Sequence, residues 1–289
     1  MTNDPFVRLL ESYKHRTLFL SAAAGNSGDV LLQKGLQVYL QNNNFLVTDQ
    51  IEDAEVVLTH GGSNINDIWK AGISLFIENL KKYPAKTFIV APHTFTFHET
   101  DFGALLQECT QDIHLFAREK YSSSCLESID FNANVSIYLS HDTAFLLEGT
   151  DYLGQLKAEC TDSYVLHAMR TDRESAIVSL DLDRVPQNFI EKMRLAIIRF
   201  QLSRYMARWS PKQTHRQSVI LQDISYLLYD DFVHKVQHAS VVHTDRLHVG
   251  ILGALLGKPV FLHPTKYDKI NGVYHQSLQA YKNVTPMFD

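Results

Sequence analysis

The 289 residues carry a formal net charge of −5 at pH 7, and 45% of them are hydrophobic against 20% charged. That balance describes an ordered globular chain, long enough for two domains of ordinary size, and the lack of any basic block argues against a nucleic-acid partner. The start Met-Thr-Asn-Asp-Pro has no cationic apolar leader, no apolar run reaches membrane-spanning length, and Cys109, Cys125 and Cys160 lack a Cys-x-x-Cys spacing, so a reduced cytoplasmic protein is expected.

Residues 1–16 read as a polar, partly helical lead-in. An apolar strand over 17–24 runs into Gly25-Asn26-Ser27-Gly28-Asp29, and a helix follows with Val30, Leu31, Val38 and Leu40 among its apolar positions. This is the strand, glycine-rich turn and helix that open a βαβ unit, without the dinucleotide fingerprint, the P-loop or the nucleophile elbow. A second strand, 55–59, ends in His60-Gly61-Gly62-Ser63-Asn64. A helix over 69–82 leads to a strand over 86–92 that ends in His93-Thr94. Strands over 113–119 and 135–142, with a helix near 123–129 between them, repeat the pattern. Strands alternating with helices at this spacing predict a parallel sheet covered on both faces. Asn26, Asp29, His60, Asn64, Arg118 and Asp142 all fall at the carboxyl ends of strands, where open α/β sheets bind ligands.

The pattern lapses around 146–162, which places a domain boundary near residue 155: an N-terminal domain over 1–155 and a C-terminal domain over 156–289. The second domain is expected to hold strands near 164–169 and 175–180, a long helix over 186–209 and a loop over 210–217. A helix over 223–238 and a strand over 241–243 follow. Next come Thr244-Asp245-Arg246-Leu247-His248 and an apolar helix over 249–256 closed by Gly257-Lys258-Pro259. A strand over 260–262 and a last helix packing back across the domains complete the chain. An always-charged fork and a group that titrates near neutrality, set at a helix mouth with unpaired N–H groups, suit a small anionic substrate that must be protonated. The bland reading of the same stretch is an Asp245 N-cap with two solvated side chains. His234 and His238 share a helix face but have no acid between them and no third ligand, so no metal site is expected there.

Taken together, Gly25-Asn-Ser-Gly-Asp29, His60-Gly-Gly-Ser-Asn64, Ala91-Pro-His-Thr94, Ala117-Arg-Glu119 with Ser124, Asp142, Thr244-Asp-Arg-Leu-His248 and Lys269 with Gly272 occur in an order that resembles the polysaccharide pyruvyl transferase family, from about residue 20 to 275. The chain departs from the family at Ser63, where a third glycine is usual, at His93, usually Gln, and at Glu119, usually Asp. The resemblance implies an α/β protein of two Rossmann-like domains facing across a cleft, as in GT-B glycosyltransferases, with the acceptor on the N-terminal side and phosphoenolpyruvate on the C-terminal side. It implies pyruvate transfer from phosphoenolpyruvate, as co-substrate and with no cofactor, onto two hydroxyls of a sugar in an exopolysaccharide or cell-surface glycan precursor. A cyclic ketal would form and phosphate would leave.

The residues that suit those roles are His248, Arg246 and Asp29 for catalysis, and Arg118, Arg246, Lys269 and Leu247 for the donor. Asn26, Gly28, His60, Gly61, Gly62 and Asn64 suit the acceptor. A lipid-linked acceptor would be met by peripheral contact at the inner face of the membrane. Two other readings fit the same architecture: a sugar-nucleotide glycosyltransferase, and a non-catalytic scaffold that kept the fold.

Overall fold

The computed structural model describes residues 3–22, 25–67, 70–171, 176, 218–266 and 269–288. They fall into two compact units, Met1–Gln155 with Gly272–Ala280, and Leu156–Asn271 with Tyr281–Asp289.

In the first unit a six-stranded parallel sheet has the order β2-β1-β3-β4-β5-β6. Its strands are β1 (Thr17–Leu20), β2 (Leu46–Thr48), β3 (Val56–Thr59), β4 (Thr87–His93), β5 (Ile113–Ala117) and β6 (Val135–Leu139). Between them run α2 (Ser27–Asn42), α3 (Lys70–Lys82), α4 (Phe102–Leu106) and α5 (Lys120–Glu127), after an opening α1 (Pro5–Ser12). All seven residues of β4 are buried, as expected for a strand covered on both faces. One core cluster holds Val57, Phe76, Phe88, Phe102 and Leu115, and a second holds Phe6, Leu18, Leu36, Leu58 and Phe116. Each such side chain contributes about 1.5–3 kcal/mol through burial.

In the second unit the described strands are again parallel, in the order β11-β10-β9-β7-β8: β7 (Tyr164–Ala168), β8 (Ser218–Leu221), β9 (Ala239–Thr244), β10 (Val260–Leu262) and β11 (Val284–Pro286). The described helices of the later chain are α6 (Asp151–Ala158), α7 (Tyr229–Gln237), α8 (Leu247–Leu255) and α9 (Lys269–Gln276). Counted over the described strands, each sheet begins in the order 2-1-3-4-5 from its own first strand, with one reversal of direction among them. The reversal falls between β1 and β3 in the first unit and between β7 and β9 in the second. The carboxyl ends at such a switch point diverge, leaving the crevice in which doubly wound sheets bind ligands.

Several elements differ from expectation. Strand β2 gives no burial signal, because it is an edge strand with Leu46 and Val47 about half exposed. Helix α4 and strands β8 and β11 are too short to show a period. The helix expected over 223–238 is instead a 3-10 turn, Ile224–Tyr226, followed by α7. Asp223 caps only that turn, accepting from Ser225 N at 3.3 Å, and the extended backbones of Leu227 and Leu228 break the run before Tyr229. The strand expected over 175–180, the helix over 186–209 and the loop over 210–217 lie outside the described residues, apart from residue 176. Residues Gly272–Ala280, in the last helical stretch, belong to the first unit, where Gly272 lies against the Glu119 side chain.

Candidate active site

At the first switch point, the turn after β1 is built around a capping box. The Asn26 carboxamide oxygen accepts from Gly28 N at 2.8 Å, and Asp29 Oδ2 accepts from Asn26 N at 2.9 Å. Gly25 has φ +154°, and a Cβ there would stand 2.0 Å from Asp29 Oδ2, so this position must be glycine for Asp29 to reach back. After β3, His60 is buried. Its N–H donates to Ser21 Oγ at 3.0 Å, and its ring nitrogens lie 3.3 Å from Ser21 Oγ and 3.4 Å from Asn64 Nδ2. Burial lowers the His60 pKa, and the nearby Asp29 carboxylate partly opposes that shift. Asp29 Oδ1 also faces Gly62.

Asn26, Gly28, Asp29, His60, Gly61, Gly62 and Asn64 are therefore brought together on one sheet edge. Gly28 spends its N–H on the cap. Gly61 and Gly62 seal against the end of β4, through Gly62 N to Pro92 O at 3.4 Å and Thr94 N to Gly62 O at 2.8 Å. His60, Asn64 and Asp29 are left as the side chains that line the edge.

Arg118 is placed differently from a donor-binding fork. Its side chain is fully buried, with Nε donating to Thr94 Oγ1 at 2.9 Å and Nη1 to Asp142 Oδ2 at 2.9 Å. Asp142 also caps the 3-10 turn Thr143–Leu147. The pair ties together the ends of β4, β5 and β6. Of the three departures from the family pattern, His93 is buried with Nε2 accepting from Ile65 N at 3.0 Å, and Glu119 caps α5 by accepting from Ser122 N at 2.9 Å. Ser63 accepts from the Asn66 carboxamide through its carbonyl, at 2.7 Å.

At the second switch point, Thr244 Oγ1 donates to Ala168 O at 2.7 Å and accepts from Arg246 N at 2.9 Å, fixing the end of β9 to β7. Arg246 is the extended N-cap residue of α8, and its carbonyl accepts the first helical bond, from Gly250 N at 3.1 Å. Asp245 is thus not the N-cap. It is fully buried and accepts from Arg170 N at 2.6 Å. Burial pushes its carboxyl up to about 7.

Helix α8 is apolar throughout because it is pressed onto the sheet. A Cβ on Gly250 would fall 2.5 Å from Leu262 Cδ2, and one on Gly253 would fall 2.8 Å from Val260 Cγ2. Leu247 follows the cap with its side chain buried, and half-buried His248 is next in the first turn. Arg246 is 5% exposed, so its guanidinium is held rather than solvated. Nε donates to Asp223 Oδ1 at 3.1 Å, Nη2 pairs with Asp223 Oδ2, and the Tyr226 ring lies 5.4 Å away. Lys269, also half-buried, opens α9 in the same unit.

Sequence reasoning missed Arg170 and Asp223. Arg170 ends β7 much as Arg246 ends β9, and its position after an apolar strand was the available signal. Asp223 gave no signal, because its partner lies 23 residues away.

A family model for polysaccharide pyruvyl transferase matches residues 26–263, well over half of the chain and spanning both switch points. The chain belongs to the polysaccharide pyruvyl transferase family. As such a pyruvyl transferase it is a transferase whose family acts on polysaccharide. A functionally uncharacterised protein of Klebsiella pneumoniae shares its fold, with a TM-score of 0.64 at 23% identity over 100% of both chains. The UDP-GlcNAc 2-epimerase of Methanocaldococcus jannaschii, solved with UDP-GlcNAc and UDP, aligns at a TM-score of 0.35 and 11% identity. That alignment covers 85% of this chain and 83% of that one, a likeness too low to bear on ligands. No curated protein matches this pyruvyl transferase by sequence. Among the described residues no helix is long and apolar enough to cross a membrane, and no group of three or more His, Cys, Asp or Glu side chains could hold a metal ion.

Proposed function

We propose that this pyruvyl transferase takes pyruvate from phosphoenolpyruvate and sets it on two hydroxyls of a sugar in a cell-surface glycan precursor as a cyclic ketal, releasing phosphate. The observation that carries the reading is the second switch point. There the N-terminus of α8, Arg246 and His248 meet at the end of β9, with Arg170 at the end of the adjacent β7. A donor bearing a carboxylate and a phosphate needs guanidinium forks and helix N–H groups, and Lys269 adds a third cation in the same unit.

In this scheme His248 protonates carbon 3 of the enol, which becomes a methyl group and leaves carbon 2 electrophilic. One sugar hydroxyl adds to carbon 2 and gives up its proton. The bond from carbon 2 to the phosphate oxygen then breaks, and the second hydroxyl closes the ring. Of the two hydroxyl protons, one restores His248 and the other leaves on phosphate. His60, Asn64 and the Asn26 turn hold the diol. Arg118 serves the site from within, by fixing the strand ends through Asp142. A lipid-linked precursor would be met at a membrane surface by peripheral contact.

Calorimetric titration of phosphoenolpyruvate tests the donor without requiring the acceptor. Saturable binding to the wild type is expected, weakened about ten- to a hundredfold in Arg246→Ala, because a hydrogen bond to a charged group contributes about 1.5–3 kcal/mol. Equal binding by both proteins, or binding by neither, would end the reading.

A further inference from the structure

The chemistry above makes no use of Asp245, the least ordinary group in the second unit. Its side chain is fully buried at the end of β9. One oxygen accepts from Arg170 N at 2.6 Å, while Oδ2 is buried with no hydrogen-bond partner among the described residues. Among the described residues three charged groups face it: Arg170 from the end of β7, Arg246 next in the chain, and Asp223 from the segment after β8. Asp223 already holds Arg246 through Nε and Nη2.

The charge count of these four groups depends on one proton. With Asp245 ionised, its carboxylate adds to that of Asp223 against the two arginines. With Asp245 protonated, the same groups carry one more positive charge than when it is ionised. An ionised carboxylate with a fully buried oxygen that no described group meets is the costlier state to bury, so the geometry favours the neutral acid. Its proton affinity, raised by desolvation and opposed by the two arginines, agrees with that.

We propose that Asp245 is a proton-carrying positioning residue behind the donor site: protonated, it leaves the Arg170–Arg246–Asp223 cluster one charge more positive toward an anionic donor than when it is ionised. The proposal rests on the phosphoenolpyruvate reading and deepens it. Its thermodynamic consequence is reciprocal. An anion bound at Arg246 raises the proton affinity of Asp245 further, so donor binding near neutral pH draws a proton from the buffer onto the carboxylate.

The test is calorimetric titration of phosphoenolpyruvate into the full-length protein and into Asp245→Asn, between about pH 6 and about pH 8.5, in two buffers of different ionisation enthalpy. Asn reproduces the shape of the neutral acid and cannot ionise. The donor's own phosphate and every other group are common to both proteins, so the ratio of the two affinities isolates Asp245. Similar affinities are expected at the acid end. The wild type should then weaken about tenfold more than the variant toward the alkaline end, with proton uptake on binding that the variant lacks. A merely structural role for Asp245 would move neither the ratio nor the uptake.

Identical pH profiles in two proteins that both bind would overturn the role of Asp245 and leave the donor assignment standing. Binding by neither protein would overturn both. If Asp245→Asn does not fold, infrared difference spectra of the wild type decide instead. Growth of a protonated-carboxyl stretch on adding phosphoenolpyruvate at neutral pH is expected, and its absence would sink the proposal.

Discussion

His243 is the residue whose replacement tests the packing of the second unit most sharply. It stacks on His167 at 4.5 Å with planes 5° apart and on Phe261 at 4.7 Å with planes 10° apart, and its Nδ1 lies 3.2 Å from His263 Nε2. All three histidines are buried, and desolvation is the largest cause holding His167 and His243 down to about 4 and His263 down to about 3. An unfolded histidine takes its proton near pH 6.5. Between that value and the folded pKa the unfolded chain therefore binds more protons, and stability falls as the pH falls.

For a folded value of about 4, the loss on going from about pH 7.5 to pH 5 is about 2 kcal/mol for each such group. Asp245 works in the opposite sense, because its raised folded pKa makes acid relieve a cost that is present above about pH 7. The wild-type profile mixes the two effects, and the replacement His243→Phe separates them. The flat ring keeps both stacking contacts. It gives up one side-chain hydrogen bond, at a cost of about 1 kcal/mol at neutral pH, and removes the titration. Urea unfolding at the two pH values should show the acid-induced loss smaller by about 2 kcal/mol in the variant than in the wild type. Equal losses would refute the claim that the His243 imidazole is buried neutral and linked to folding.

His248→Ala should lower ketal formation by about 10²–10⁴-fold while leaving the melting temperature within a few degrees, since the ring is half-buried at a helix mouth rather than in the core. Near-normal turnover in that variant would remove His248 from the acid's role. Arg118→Met should behave in the reverse way. It strands Asp142 as a buried, half-paired charge and should cost about 3–5 kcal/mol in urea unfolding. A stability loss under about 1 kcal/mol would mean that the Arg118–Asp142 pair does not hold the strand ends together.

Sequence alone determined the class of fold and the order of its motifs. Alternating apolar strands and amphipathic helices follow from local periodicity, and the polar clusters at strand ends follow from where a parallel strand must stop. So Asp29, His60, Arg246 and His248 could be named from short stretches of chain. Only the tertiary structure decided the strand order, and hence that β1/β3 and β7/β9 are the switch points, because lateral pairing joins segments that no local pattern connects. It also decided what each charged group faces. Arg118 and Arg246 look alike in sequence, but one is committed to Asp142, 24 residues away, and the other is held by Asp223, 23 residues away, at a helix mouth. The burial of Asp245 against Arg170 spans 75 residues. Periodicity reports which face of an element is dry, but a charge finds its partner across the sheet, and only the assembled sheet fixes that pairing.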